Sequence, residues 1–179
     1  MNQKIINQSL PKEVKVSFEF FPPTTKKSMS LLWKCIKRLQ PVRPSFVSVT
    51  YGAGGTTREH THETVVRIAK ETNMKSAAHL TCIGSNKNEI TAIAERYWQV
   101  GIRHIVALRG DASNGKNSNI PHPDGYDFAS DLVEGLKKVA DFEISVAAYP
   151  ECHPESKNQN EDLDNLQRKI DAGATRAIT

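Results

Sequence analysis

Short apolar runs alternate along this chain with longer stretches in which apolar residues recur every three or four positions. Val14–Phe21 is the first run, closed by Pro22 and Pro23. Behind it Met29, Leu32, Trp33, Ile36 and Leu39 take the i, i+3, i+4 spacing of an amphipathic helix, which Pro41 and Pro44 end. Ser45–Thr50 predicts a buried strand, Tyr51–Gly55 its glycine-rich loop, and Thr56 with Glu59 a capping box opening a helix to about Thr72. Lys75–Ile83 predicts a third strand, and the helix after it should bury Ile90, Ile93, Ala94 and Tyr97 before Gly101 stops it. His104–Leu108 predicts a fourth strand, followed by a polar loop, Ala112–Gly125, that exceeds the usual connection length. A helix over about Asp127–Val139, a strand over Glu143–Tyr149 and a helix with Leu163, Leu166 and Ile170 on one face come next. Gly173 caps that helix, and Ala174–Thr179 begins a sixth strand.

Strand–helix alternation of this kind suits a closed barrel or an open doubly wound sheet. No G-x-G-x-x-G follows the first strand, which favours the α/β reading as a (β/α)8 TIM barrel. Five strand–helix units and a sixth strand leave such a barrel about two strands short, so 1–179 reads as a single incomplete TIM-barrel domain. Composition agrees with a globular protein: of 179 residues, 38% are hydrophobic and 25% charged. The net charge of +4 is spread along the chain, with Lys26–Lys27 and Lys137–Lys138 the only lysine doublets, so no nucleic-acid partner is expected. Cys35, Cys82 and Cys152 are too few and too scattered for a disulfide framework or a zinc site, which fits a reducing, cytoplasmic setting. No signal core or membrane span is visible, and no membrane association is expected.

In a β/α barrel, chemistry gathers at the C-terminal ends of the strands. Those positions here hold Glu19 beside Phe20–Pro23, then Thr50–Ala53, His79 with Thr81, Arg109–Asp111, and Tyr149–His153. Glu19 stands among Phe18, Phe20 and Phe21, and a carboxyl enclosed by apolar neighbours would hold its proton nearer neutrality. His60 and His62, two apart on a helix, diverge and make a poor metal pair, while His104 and His122 carry no pattern. No metal is expected.

Five segments in this order, Ser17–Pro23, Ser45–Thr57, Ala78–Thr81, Leu108–Asp111 and Val146–Pro150, resemble the 5,10-methylenetetrahydrofolate reductase family. The resemblance runs from about Val14 to Thr179 and implies a flavoprotein barrel. Such an enzyme uses FAD to pass a hydride from NADH or NADPH to methylenetetrahydrofolate, giving methyltetrahydrofolate for methionine synthesis. Glu19 then corresponds to the general acid that protonates the folate's bridging nitrogen, opening the ring to an iminium. Asp111 corresponds to a carboxylate near the flavin and the pterin. Thr50, Tyr51, Ala53, His79, Arg109 and Gly110 correspond to the flavin site, with Ala129, Tyr149, His153, Asp162, Asn165, Arg168 and Lys169 around its adenosine and phosphates. From the residues alone, Arg168 and Lys169 equally suit a solvated helix face, and Gly52–Gly55 a plain strand-to-helix turn. The resemblance further implies a folate substrate and a homo-oligomer at full length. Two other readings stay open: a non-catalytic fragment whose sheet edges pair with another copy or a partner, and a barrel enzyme for a phosphorylated substrate that carries no flavin.

Overall fold

The computed structural model describes residues 14–52, 57–110 and 122–179. Strands β1 (Ser17–Phe20), β2 (Phe46–Val49), β3 (Ser76–Thr81), β4 (His104–Leu108), β5 (Glu143–Ala147) and β6 (Arg176–Ile178) form one sheet. Its spatial order is the chain order, β1 to β6, and every pairing is parallel. Helices α1 (Lys26–Leu39), α2 (Arg58–Glu71), α3 (Lys87–Gln99), α4 (Ala129–Val139) and α5 (Gln159–Asp171) fill the crossovers, with a short 3-10 turn, Gln40–Val42, after α1. This succession is that of a partial (β/α)8 barrel, with its helices on one side of the curled sheet and the lumen on the other.

A strand covered on both faces must bury every residue. β2 and β3 do so throughout, and the sequence meets this demand differently on each side. Towards the helices stand Phe20, Val47, Val49, Ala78, Leu80, Ile105, Ala107, Ile144 and Val146, which join Trp33, Ile36, Val65, Ile68, Ile90, Tyr97, Leu132 and Leu136 in the main core. Towards the lumen Phe46, Ala77 and Val106 form a small second cluster, and polar side chains occupy most of the remaining positions.

Helix starts and stops follow local chemistry. Thr25 and Ser28 cap α1 reciprocally, as Asn86 and Glu89 cap α3. The capping box expected at Thr56 and Glu59 is not how α2 begins. Thr56 lies outside the described residues, Thr57 occupies the N-cap position without a side-chain capping bond, and Glu59 is taken by Arg96 of α3 through two contacts of 2.9 Å. Gly101 (φ +89°) and Gly173 (φ +116°) take the left-handed conformation that ends α3 and α5.

The expected apolar face of α5 is corrected. Leu166 packs on the core, whereas Leu163 and Ile170 are exposed, on a helix whose main helical neighbour among the described residues is α4. The polar loop after β4 is described only from His122. There Gly125 bridges to Asn86, and the Lys87 amide donates to the Asp124 carbonyl, stitching the loop's end to the start of α3. The three cysteines are free thiols. No helix among the described residues is long and apolar enough to cross a membrane.

Candidate active site

The C-terminal ends of the strands share one rim, and most of the sequence-derived positions that are described gather there. Thr50 follows β2, its amide donating to the Phe20 carbonyl and its own carbonyl accepting from the Thr61 hydroxyl. Tyr51 is half-buried, and its hydroxyl accepts from Arg58 Nε at 2.8 Å while Arg58 Nη2 reaches Ser85 Oγ at 3.1 Å. The Gly52 amide donates to Thr57 Oγ1 at 2.7 Å, folding the turn back on the helix. Ala53 and Asp111 lie outside the described residues.

Arg109 and Gly110 leave β4 over the end of β3. Arg109 makes a two-pronged ion pair with Glu155, at 2.6 and 2.9 Å, that ties the loop after β4 to the loop after β5. Gly110 has φ +88°, and a Cβ there would stand 2.8 Å from Thr81 Cβ and 2.9 Å from Ile83 Cγ2. Only glycine lets the backbone run this close to β3.

After β5, Tyr149 is 44% exposed and meets His153 edge to face, with ring centres 4.6 Å apart. His153 Nδ1 accepts from the Glu155 amide. Ser156 Oγ lies between Asp162 and Asn165 of α5, and Arg168 hydrogen-bonds to Asn165. Of the two basic residues that a solvated face could have explained, Arg168 is exposed. Lys169 instead turns inward and donates to the Ala147 carbonyl at 2.9 Å, and burial lowers its pKa against the opposing pull of Asp162. Ala129, the first residue of α4, is half-buried at the same rim.

Below the rim, the lumen face is polar. In-register pairing sets Glu19, Ser48 and Ala77 side by side, and likewise His79, Val106, Ser145 and Arg176. Glu19 is not enclosed by its phenylalanines. Strand alternation turns Phe18 and Phe20 to the helix side, Phe21 is 78% exposed, and the Glu19 side chain itself is 53% exposed on the lumen side. Its Oε2 lies 3.3 Å from His79 Nε2. His79 is buried, and burial, followed by the influence of His104, pushes its pKa down to about 4.

His104 is the other buried ring. Its Nε2 lies 2.7 Å from Ser145 Oγ and 3.4 Å from Arg176 Nη1, and its ring meets Phe46 edge to face. An arginine can only donate, so Nε2 is the acceptor and the ring is neutral. Burial pushes its pKa to about 4 as well, with Arg176 and Lys75 assisting and Glu143 opposing. Among the described residues no cluster of three His, Cys, Asp or Glu is placed to hold a metal ion.

Two polar atoms here are buried without a hydrogen-bond partner among the described residues, His79 Nε2 and Thr81 Oγ1. Buried polar atoms of that kind normally find a partner. They lie two residues apart on β3, where Gly110 packs against Thr81. A ring with polar edges fits this set of donors, acceptors and small residues.

Arg58, Ser85, Glu155 and Ser156 belong to the same rim but escaped the sequence reading. Arg58 had a signal, since a cation in the first turn of a helix opposes the macrodipole and calls for a partner elsewhere. Glu155 had none, because its partner lies 46 residues away.

The methylenetetrahydrofolate reductase family model matches residues 3–179. The chain is 52% identical over 180 residues to the 5,10-methylenetetrahydrofolate reductase of Salmonella typhimurium, covering 99% of this chain and 59% of that protein. It is 53% identical over 177 residues to the enzyme of that name from Escherichia coli, covering 97% and 58%. It thus spans somewhat under three fifths of the length of these curated relatives. Among solved structures, the phosphoenolpyruvate phosphomutase of Streptomyces platensis superimposes with a TM-score of 0.61 at 13% identity, over 92% of this chain and 59% of that one. At that identity the likeness is one of fold.

Proposed function

Because the chain belongs to the methylenetetrahydrofolate reductase family, we propose that it supplies the flavin- and folate-holding rim of an enzyme that reduces 5,10-methylenetetrahydrofolate to 5-methyltetrahydrofolate. FAD, when bound, supplies the hydride chemistry, with NADH or NADPH as the donor. The observation that carries this reading is the meeting of Glu19 with the buried, partnerless edge of β3 under a rim crowded by Gly110. Thr81 Oγ1 offers a hydrogen bond to a ring system, His79 lies beside it on β3 with Nε2 turned to Glu19, and Gly110 lets the backbone lie against the ring. Arg109, held by Glu155, presents its guanidinium at the same level, while Tyr149, His153 and the α5 residues Asp162, Asn165, Arg168 and Lys169 line the path of the cofactor's remainder. Ala129 leaves room where α4 starts. Ala53 and Asp111 complete the proposed set from outside the described residues. Glu19, open to the lumen, is the proposed proton donor to a substrate nitrogen there.

The test begins with the visible spectrum of the purified intact protein and the identity of any flavin released on denaturation. FAD close to one per chain is expected. The two half-reactions then separate the roles. Glu19→Gln should keep flavin reduction by nicotinamide and slow folate reduction by about 10²–10⁴-fold, the usual worth of a general acid. Undiminished folate turnover in that variant would remove Glu19 from the chemistry, and a colourless, folded protein would remove the flavin.

A further inference from the structure

Glu19 and His79 stand on strands that are not neighbours. β2 runs between them, and the residue it sets opposite Glu19 is Ser48, which is only 4% exposed. Adjacent strands are about 4.8 Å apart, so a carboxylate and an imidazole two strands apart meet only by leaning towards each other over a small residue. Serine leaves that space. The resulting 3.3 Å approach is close but lacks hydrogen-bond alignment, and among the described residues Nε2 has no other partner. A buried ring nitrogen without a partner is unfavourable, and the half-exposed Glu19 is free to turn and supply one.

We propose that His79 is a positioning residue for Glu19, holding its carboxyl in one orientation across Ser48. This rests on the reading of Glu19 as proton donor. Among the described residues the titratable groups facing the ring are Glu19 from β1 and His104 from β4, with Glu143 and Arg176 behind His104, while β2 sets Ser48 beside Glu19. Burial keeps the ring neutral near pH 7. A neutral imidazole suits both states of its neighbour: in one tautomer Nε2–H donates to the carboxylate, and in the other Nε2 accepts from the carboxylic acid. Repositioning between proton uptake and proton delivery is then unnecessary.

The experiment measures both half-reactions of the intact protein across pH. His79→Leu should slow folate reduction at least tenfold more than flavin reduction and displace the pH profile of the folate step. His79→Gln, which keeps an N–H within reach, should recover most of that difference. Equal slowing of both half-reactions, or the same defect in both variants, would overturn the proposal. If Glu19→Gln left folate reduction intact, the fault would lie with the acid assignment, and ¹⁵N NMR of the histidine rings then decides the contact. The same measurement serves if His79→Leu does not fold. The His79 Nε2 resonance should move in Glu19→Ala, and an unmoved resonance would show that the two groups do not meet.

Discussion

In the middle of the sheet, on β2 and β3, the two faces are buried to a similar degree and made of different material. On β3 the residues turned to the helices include Ala78 and Leu80, while Ala77, His79 and Thr81 face the lumen, and all are buried. The helix side is a close-packed apolar core. The lumen side carries two neutral histidines, buried serines and an arginine in contact with His104 and Glu143. Burial alone therefore does not separate scaffold from site. What separates them is whether the buried atoms need partners, since an apolar face is satisfied by packing and a polar one only by hydrogen bonds.

Acid should strike the lumen face and spare the other, with the largest effect. The His79 and His104 rings are held near pKa 4 in the fold against about 6.5 when free. The unfolded chain thus binds more protons between those limits. The stability is whole above pH 6.5 and is lost as pH falls towards 4, by on the order of 3 kcal/mol per ring. Denaturant midpoints at pH 7 and pH 5 measure this, and His104→Leu should flatten part of the slope. A slope unchanged in that variant would place the acid sensitivity elsewhere. Leu80→Ala probes the opposite face and should cost about 2–5 kcal/mol, equally at both pH values. Gly110→Ala forces a methyl against Thr81 and should cost about 1–3 kcal/mol, seen as a lower Tm together with reduced flavin content. Asn86→Ala removes one half of the α3 capping box, on the helix layer outside the lumen. A loss near 1 kcal/mol is expected, with the acid slope untouched.

Much of this division was legible in the sequence, and the limits have physical causes. Strand and helix positions followed from periodicity because every crossover repeats the same parallel unit, and the strand cores fell within the expected runs. The resemblance named rim residues that the fold does bring together. Glu19 shows where linear reading fails. Its neighbours in sequence are phenylalanines, but alternation sends them to the other side, and its neighbour in space is a histidine 60 residues on. Lys169 shows the same for charge, since helical position suggested solvent and the strand beside it offered the Ala147 carbonyl. Leu163 and Ile170 kept their spacing without a surface to bury it against. For Glu19 and Lys169 the deciding partner came from a distant part of the chain.

The strand order, identical to the chain order, bears on how the molecule forms. Each strand docks beside the one made just before it, one strand–helix unit upstream. Parallel sheets ordinarily fold slowly because their partners are remote in sequence. Here the remoteness is kept to the minimum that a parallel crossover permits. A chain leaving the ribosome N-terminus first can add to a sheet edge already waiting for it, so that assembly keeps pace with synthesis.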